Sequence, residues 1–259
     1  FLKISGLSLG GILMLPHHSC SGIPNKKLTI NGNNNYQIVI PANASKIEEE
    51  ASLQLKKHLS LLSKQAPNVV KENEYNGKNG IFIGQTNNAK KNNVAADALE
   101  EDGYVFKNIG DDFLIQGGSE KGLIFGIYSL LESFGFRKYA ADDPLDIPST
   151  INFELPNDIT KIPKINYRTT NYYEGRDPEY ADWNKLSSRD SWGLFVHTFE
   201  VLVPPEKYGK SNPEYYSLID GERNVVTQLC LTNQDMFDVL VKDLRKRINE
   251  NPKAKYWSV

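Results

Sequence analysis

Cysteine is almost absent from this chain. The 259 residues hold two, Cys20 and Cys230, with no Cys-x-x-Cys or His-x-x-x-His spacing. Two such cysteines cannot form the cross-linked framework of a small secreted domain, and a zinc site built within the chain lacks its ligands. Cys230 reads as a small core residue. An excess of one charge is missing too. Lys and Arg number 30 against 32 Asp and Glu, a net charge of -2. There is no long basic run, so nucleic-acid binding has no electrostatic support. The segment GGSEKG (117–122) lacks the Gly-Lys-Ser/Thr ending of a phosphate loop and reads as a tight turn into a helix.

What is present is ordinary for a soluble globular protein: 39% hydrophobic and 24% charged residues over a length that allows one or two domains. Tyrosine (13) and tryptophan (3) are in modest excess, enough for core packing and for a few flat surfaces on which a sugar ring can stack. The N-terminal FLKISGLSLGGILMLPHHSC is a lysine followed by a short apolar, Gly-rich stretch, which reads as a secretory signal over residues 1–22. Its FLK resembles the tail of a twin-arginine signal. Two readings stand: a plain cleaved signal, or a lipoprotein signal with lipid attachment at Cys20 and so membrane anchoring. Both place the mature protein outside the cytoplasm, in the periplasm or anchored at the outer membrane. The apolar AKYWSV at the other end reads as a strand in need of neighbours, so the chain is expected to be a fragment.

Periodicity organises the rest. QIVIP (37–41) is a buried strand. Ser45 and Glu48 form a capping box for a helix with Ile47, Ala51, Leu55, Leu59 and Leu62 on its packed face. His58 beside that face is structural. IFIGQT (81–86) is a strand, NNAKKNN a loop, and YVFKN and FLIQG a hairpin around Gly110. Ser119 caps a helix that Gly135 ends. This predicts a small α/β sandwich over 23–150 with helices on one face. The Pro- and Asp-rich 151–164 is a linker. From 165 onward INYRTTNYY, WGLFVHT and KYWSV read as strands. A hairpin turns at Asp220-Gly221, and Thr232 caps a helix with the stripe Met236, Leu240, Leu244 and Ile248. Such an array begins either a doubly wound sheet or a (β/α)8 barrel.

DGYVFK (102–107), the run FLIQGGSEKGLIFGIYSLLESFGFRKYAADD (113–143), IEEEASLQLKKHL and IFIGQT carry a resemblance. The first part is similar to the N-terminal domain of family 67 α-glucuronidases and to the accessory domain of family 20 hexosaminidases. HTFEVLVPPEKY, NPEYYSLIDGER and QLCLTNQD resemble a large group of exported bacterial proteins related to those hydrolases. The resemblance implies that 165–259 is the first, incomplete part of a (β/α)8 barrel. It also implies a carbohydrate ligand and no organic cofactor. The expected activity of the full-length protein is hydrolysis of glycosidic bonds in complex glycans, including uronic-acid-bearing ones. A non-catalytic cell-surface glycan-binding protein is the alternative, and a scaffolding domain a third reading.

A barrel keeps its chemistry at the carboxyl ends of its strands. The candidate sugar-binding residues are therefore Arg168, Tyr172, Tyr173, His197 and Trp257. Arg168 offers a two-pronged hydrogen bond, and an arginine near this strand holds sugar in the related hexosaminidases; a salt bridge is its structural alternative. Tyr172 and Tyr173 either stack on sugar or pack. His197, where an apolar strand meets a loop, either contacts ligand or ties down the Pro204-Pro205 segment. Trp257 is positioned to wall a sugar site. Glycoside hydrolysis needs two carboxyl groups. Glu200, Glu206, Glu214 and Asp220 read as solvated loop charges, and in the related α-glucuronidases the acids lie on later strands. No catalytic residue is assigned, and no metal ligand.

Overall fold

The computed structural model describes residues 29–30, 36–63, 66–149 and 152–259. The signal-like segment, with Cys20, lies outside the described residues. The chain forms two compact units. One runs to Phe134 and takes in Pro148–Ile162, and the other comprises Gly135–Ile147 and Pro163–Val259.

The first unit is built on β1 (Thr29–Ile30), β2 (Gln37–Ile40), α1 (Lys46–Ser60), β3 (Asn68–Lys71), β4 (Gly80–Ile83), α2 (Asn87–Lys91), β5 (Tyr104–Ile109), β6 (Asp112–Gly117), α3 (Glu120–Ser133), β7 (Phe153–Glu154) and β8 (Ile159–Lys161). Six strands form one sheet in the order β3-β2-β4-β6-β5-β8. The first four are mutually parallel, and β5 and β8 are antiparallel to their neighbours. β1 pairs with β7 apart from it. Gly110, with φ 60°, supplies the left-handed position of the β5–β6 turn.

α1 starts as its sequence dictates. Ser45 Oγ accepts from Glu48 N, and the Glu48 carboxylate accepts from Ser45 N at 2.8 Å. Ala51, Leu55 and Leu59 are fully buried. His58 is buried with them, its Nδ1 2.7 Å from the Gln54 carbonyl and its ring edge-on to Tyr128. Helix α3 lies on the same sheet face, where Gly126 meets Ile115.

Strand alternation puts Val39, Phe82 and Leu114 on the opposite face, and Ala89 of α2 packs there. Three expectations are corrected by this. NNAKKNN is not a loop: Thr86 is buried, accepts from Ala89 N and starts a helix. Helices therefore cover both faces, not one. The linker 151–164 is partly structural, since β8 extends the sheet and Asp158 accepts from Asn108 N at 2.7 Å. The edge strand NVVK, with no fully buried residue, has no counterpart among the expected elements. The turn into α3 is glycine-rich for space. A Cβ on Gly118 would fall 1.6 Å from the Glu100 carbonyl oxygen, and one on Gly117 would fall 2.1 Å from Leu123 N.

The second unit holds α4 (Pro178–Trp183), β9 (Trp192–Leu194), α5 (Phe199–Leu202), α6 (Pro205–Tyr208), β10 (Tyr216–Ile219), β11 (Glu222–Leu229), α7 (Gln234–Glu250) and β12 (Tyr256–Trp257). β9 and β12 pair in parallel, and β10 and β11 form an antiparallel hairpin. Its turn, Asp220-Gly221, has φ 52° and 87°, as a type I′ turn requires. The core joins Leu194, Leu202, Val203, Tyr215, Tyr216, Leu229, Met236 and Leu240.

Here the expectations are met less closely. INYRTTNYY is not a strand but irregular chain ending in a short 3-10 turn. WGLFVHT is a strand only to Leu194. FRKYA (136–140), which reads in the sequence as the strand closing the first unit, makes only one isolated bridge, Arg137 to Asp146. The cap of α7 is Asn233, which accepts from Met236 N at 2.9 Å, and not Thr232. The described strands of this unit form a mixed α/β arrangement of two-stranded sheets, not a continuous barrel wall.

Candidate functional site

The second unit's cleft is made by the way β9 ends. After Leu194 the chain turns through two consecutive left-handed residues, Val196 (φ 38°) and His197 (φ 54°). A β-branched valine there is strained by on the order of 1–3 kcal/mol, and such strain gathers at functional positions. Thr198 anchors the start of α5: it is buried, and its hydroxyl donates to the Ser258 carbonyl at 2.8 Å. Arg247 of α7 steadies α5, donating to the Val201 carbonyl at 3.1 Å and to Asp243. His197 itself stays exposed.

Between this turn, α5, α6 and β11 lies a cleft of about 440 Å³, within the range of small-molecule sites. Its polar lining residues include His197, Glu200, Glu206, Thr227 and Gln228, and its apolar ones Val203, Pro205, Tyr216, Val225 and Val259. Tyr216 is buried and donates to the Val203 carbonyl at 3.1 Å; its phenol is held above its ordinary pKa by burial, with the Glu206 carboxylate adding to the effect. The lining contains two carboxylates and no Lys or Arg. Chemically, it offers acceptors for hydroxyl donors, a side-chain amide, an imidazole and an apolar floor.

The other candidates lie elsewhere. Arg168 does not line this cleft. Its Nε donates to the Lys185 carbonyl at 2.8 Å and its Nη1 to the Ile165 carbonyl at 2.6 Å, while its backbone pairs with Ser187. The guanidinium closes an irregular loop. Tyr172 stands edge-on to Tyr180, and its phenol is raised by partial burial and then by the Glu174 and Asp142 carboxylates. Tyr173 is exposed, with the Arg176 guanidinium 4.9 Å from its ring centroid. Trp257 is half-buried against Gly193 and the second unit's core.

Glu200 and Glu206 read as loop charges in the sequence, and nothing there singles out Tyr216. Long-range pairing of α5 and α6 with β11 brings them to one wall, and no local spacing announces that. Among the described residues, no cluster of three or more His, Cys, Asp or Glu could hold a metal ion.

The fold and cleft define a mixed α/β protein with a sheet-based first unit and a clefted second one. Residues 21–130 match the family model of the glycosyl hydrolase family 67 N-terminus. Residues 139–259 match a domain of unknown function, DUF4838. No curated protein matches the chain. Among solved structures, an exo-β-N-acetylglucosaminidase of family GH20 from Vibrio harveyi is similar at 17% identity and TM-score 0.34, covering 55% of this chain and 18% of its own. A GH138 enzyme targeting pectin rhamnogalacturonan II is similar at 15% identity and TM-score 0.32, covering 82% and 24%. The chitobiase of Flavobacterium johnsoniae is similar at 13% identity and TM-score 0.36, covering 86% and 31%. The chain thus spans less than a third of the length of these proteins.

Proposed function

We propose that the chain is the sugar-contacting part of an exported, carbohydrate-active protein that hydrolyses glycosidic bonds in complex glycans. The family 67 match over 21–130 supports the carbohydrate class. The cleft beside His197 carries the reading: its lining combines carboxylates, an amide and an imidazole with the apolar Pro205, Val225 and Tyr216. A pyranose has the same division, with hydroxyls at its rim and C–H groups on its faces. Hydroxyls donate to Glu200 and Glu206 in charge-assisted bonds, and the ring lies on the apolar side. Hydrolysis needs a proton donor and a second carboxylate across the scissile bond. No residue of the cleft is assigned either role. Export rests on the N-terminal segment, and lipid on Cys20 would add membrane anchoring; mass spectrometry of the mature N-terminus tests both.

The function is tested by calorimetry with neutral and uronic oligosaccharides, alongside turnover of aryl glycosides. Saturable binding that weakens in His197→Ala and Glu206→Gln is expected. Absence of binding by every sugar overturns the reading. Turnover is read on the full-length protein, and binding without turnover there moves it to the glycan-receptor class.

A further inference from the structure

The first unit has a larger crevice at the place where open α/β sheets receive ligands, outside the carboxyl ends of their parallel strands. Its volume is about 690 Å³, and its wall includes Ala42, Ser45, Gln85, Lys90, Gln116 and Ser119. These follow the ends of β2 and β4, close β6, and begin α1 and α3. The notable side chain is Gln116. It is 3% exposed, and its Nε2 donates to the Gly117 carbonyl at 2.8 Å. Its Oε1 accepts no hydrogen bond among the described residues. Position 116 shares its sheet face with Leu114 of the apolar cluster, where a leucine or methionine would be buried without an unsatisfied acceptor.

We infer that this crevice binds a neutral, polyhydroxylated ligand, toward which the Gln116 amide turns so that its Oε1, otherwise shielded from solvent, accepts a hydroxyl.

The surroundings select against ions. The caps occupy part of the helix amides that would hold an anion: Ser45 Oγ accepts from Glu48 N, and Ser119 Oγ from Lys121 N and Gly122 N. Three carboxylates, Glu48, Glu72 and Glu120, line the crevice against the single cation Lys90, which disfavours an anion further. A cation fares no better. Glu48 is taken by the backbone amides of Gln85 and Ser45, at 2.7 and 2.8 Å, and Glu72 by Asn87 N at 2.7 Å. A hydroxyl satisfies Gln116 without bringing a charge, and neighbouring polar groups accept or donate to the other hydroxyls. This site is separate from the His197 cleft, and its test does not depend on that one.

The test follows the Gln116 side-chain amide and the Gln85 and Gly117 backbone amides by NMR in the whole ¹⁵N-labelled chain. The probes are xylotriose, cellotriose, N-acetylglucosamine and inorganic phosphate. The expected result is saturable shifts at these amides with at least one sugar and none with phosphate. Gln116→Leu is expected to keep or raise Tm and to lose at least tenfold in affinity as read at the Gln85 and Gly117 backbone amides. Shifts at Thr227 report the cleft independently. If Gln116→Leu fails to fold, Gln116→Met serves in its place. No saturable shift with any sugar overturns the inference. So do equal shifts in the folded variant, or shifts with phosphate that match those with sugar.

Discussion

The indole of Trp257 lies against Gly193 so closely that a Cβ at 193 would fall 2.3 Å from its ring atoms. The two residues join β12 to β9, beside the backbone bonds from Lys255 N to the Ser191 carbonyl and from Ser258 N to the Leu194 carbonyl. The glycine is there for a neighbour's ring, and the tryptophan is held as a packing element.

Gly193→Ala therefore forces the indole or a strand to move. Overpacking of this kind costs roughly 1–3 kcal/mol. Urea unfolding monitored by tryptophan fluorescence is expected to show a lower midpoint for Gly193→Ala. Trp257→Phe in the same chain should restore part of the loss, because the smaller ring leaves room. Trp257→Phe alone should lower stability and leave sugar affinity unchanged by calorimetry.

Arg168 is expected to behave as a loop clamp. Its guanidinium reaches two backbone carbonyls, those of Lys185 and Ile165. Hydrogen bonds from a charged donor are worth roughly 1.5–3 kcal/mol each, and removing the donor leaves its acceptors to water. Arg168→Met should lower the unfolding midpoint and raise amide exchange at Ser187, whose N–H donates to the Arg168 carbonyl at 2.7 Å. A lowered sugar affinity with unchanged stability would assign Arg168 to ligand instead.

Much of the first unit is legible in the sequence because its signals are local. The Ser45–Glu48 capping box, the Gly110 hairpin, Ser119 as cap and Gly135 (φ 100°) as terminator all lie within a few residues of what they control. The short α2 reads as loop because four polar residues around the single Ala89 carry no apolar stripe, and only the buried Thr86 marks its start. In the second unit INYRTTNYY has the composition of a strand, yet the described residues give it no strand partner. β-propensity there is a wish for neighbours. The cleft is half legible. His197 stands out where an apolar run meets a loop, whereas Glu200 and Glu206 need the long-range approach of β11 to become a wall. Gln116 leaves no sequence signal, since a glutamine ending an apolar strand looks like an ordinary exposed end.

Tyr36 sets a pH limit on the first unit. It is 3% exposed, and burial pushes its phenol from an ordinary value of 10.0 up to about 12. The folded state prefers the neutral phenol. This contribution is fully present below pH 10, where both states are protonated, and is lost as pH rises from 10 to about 12 and the unfolded chain ionises first. Two pH units correspond to roughly 2.7 kcal/mol. Tyr36→Phe should flatten the fall in unfolding free energy between pH 10 and 11.5, relative to the parent, by about 1.5 kcal/mol. Equal slopes in the two proteins would remove Tyr36 from the account.

The cleft's charge makes the sharpest claim about ligand. Glu200 and Glu206 line it and no Lys or Arg does, so a uronate carboxylate entering it meets like charge that no cation of the lining offsets. Neutral oligosaccharides should therefore bind more tightly than their uronic counterparts, and the gap should narrow as salt rises, because both carboxylates are exposed and screened. Glu206→Gln keeps the shape and removes one charge. It is expected to weaken a neutral sugar by about tenfold, or 1.4 kcal/mol, through loss of a charge-assisted acceptor, while improving the relative binding of the uronate. The same change should bring the Tyr216 phenol partway back toward its ordinary pKa, since the Glu206 carboxylate adds to the effect of burial there. Calorimetry with matched neutral and uronic trisaccharides reads the first effect, and ¹³C-tyrosine NMR titration the second. A uronate that binds the parent more tightly than its neutral match would show that a cation outside this lining reaches the sugar, and would return the acidic glycans to first place.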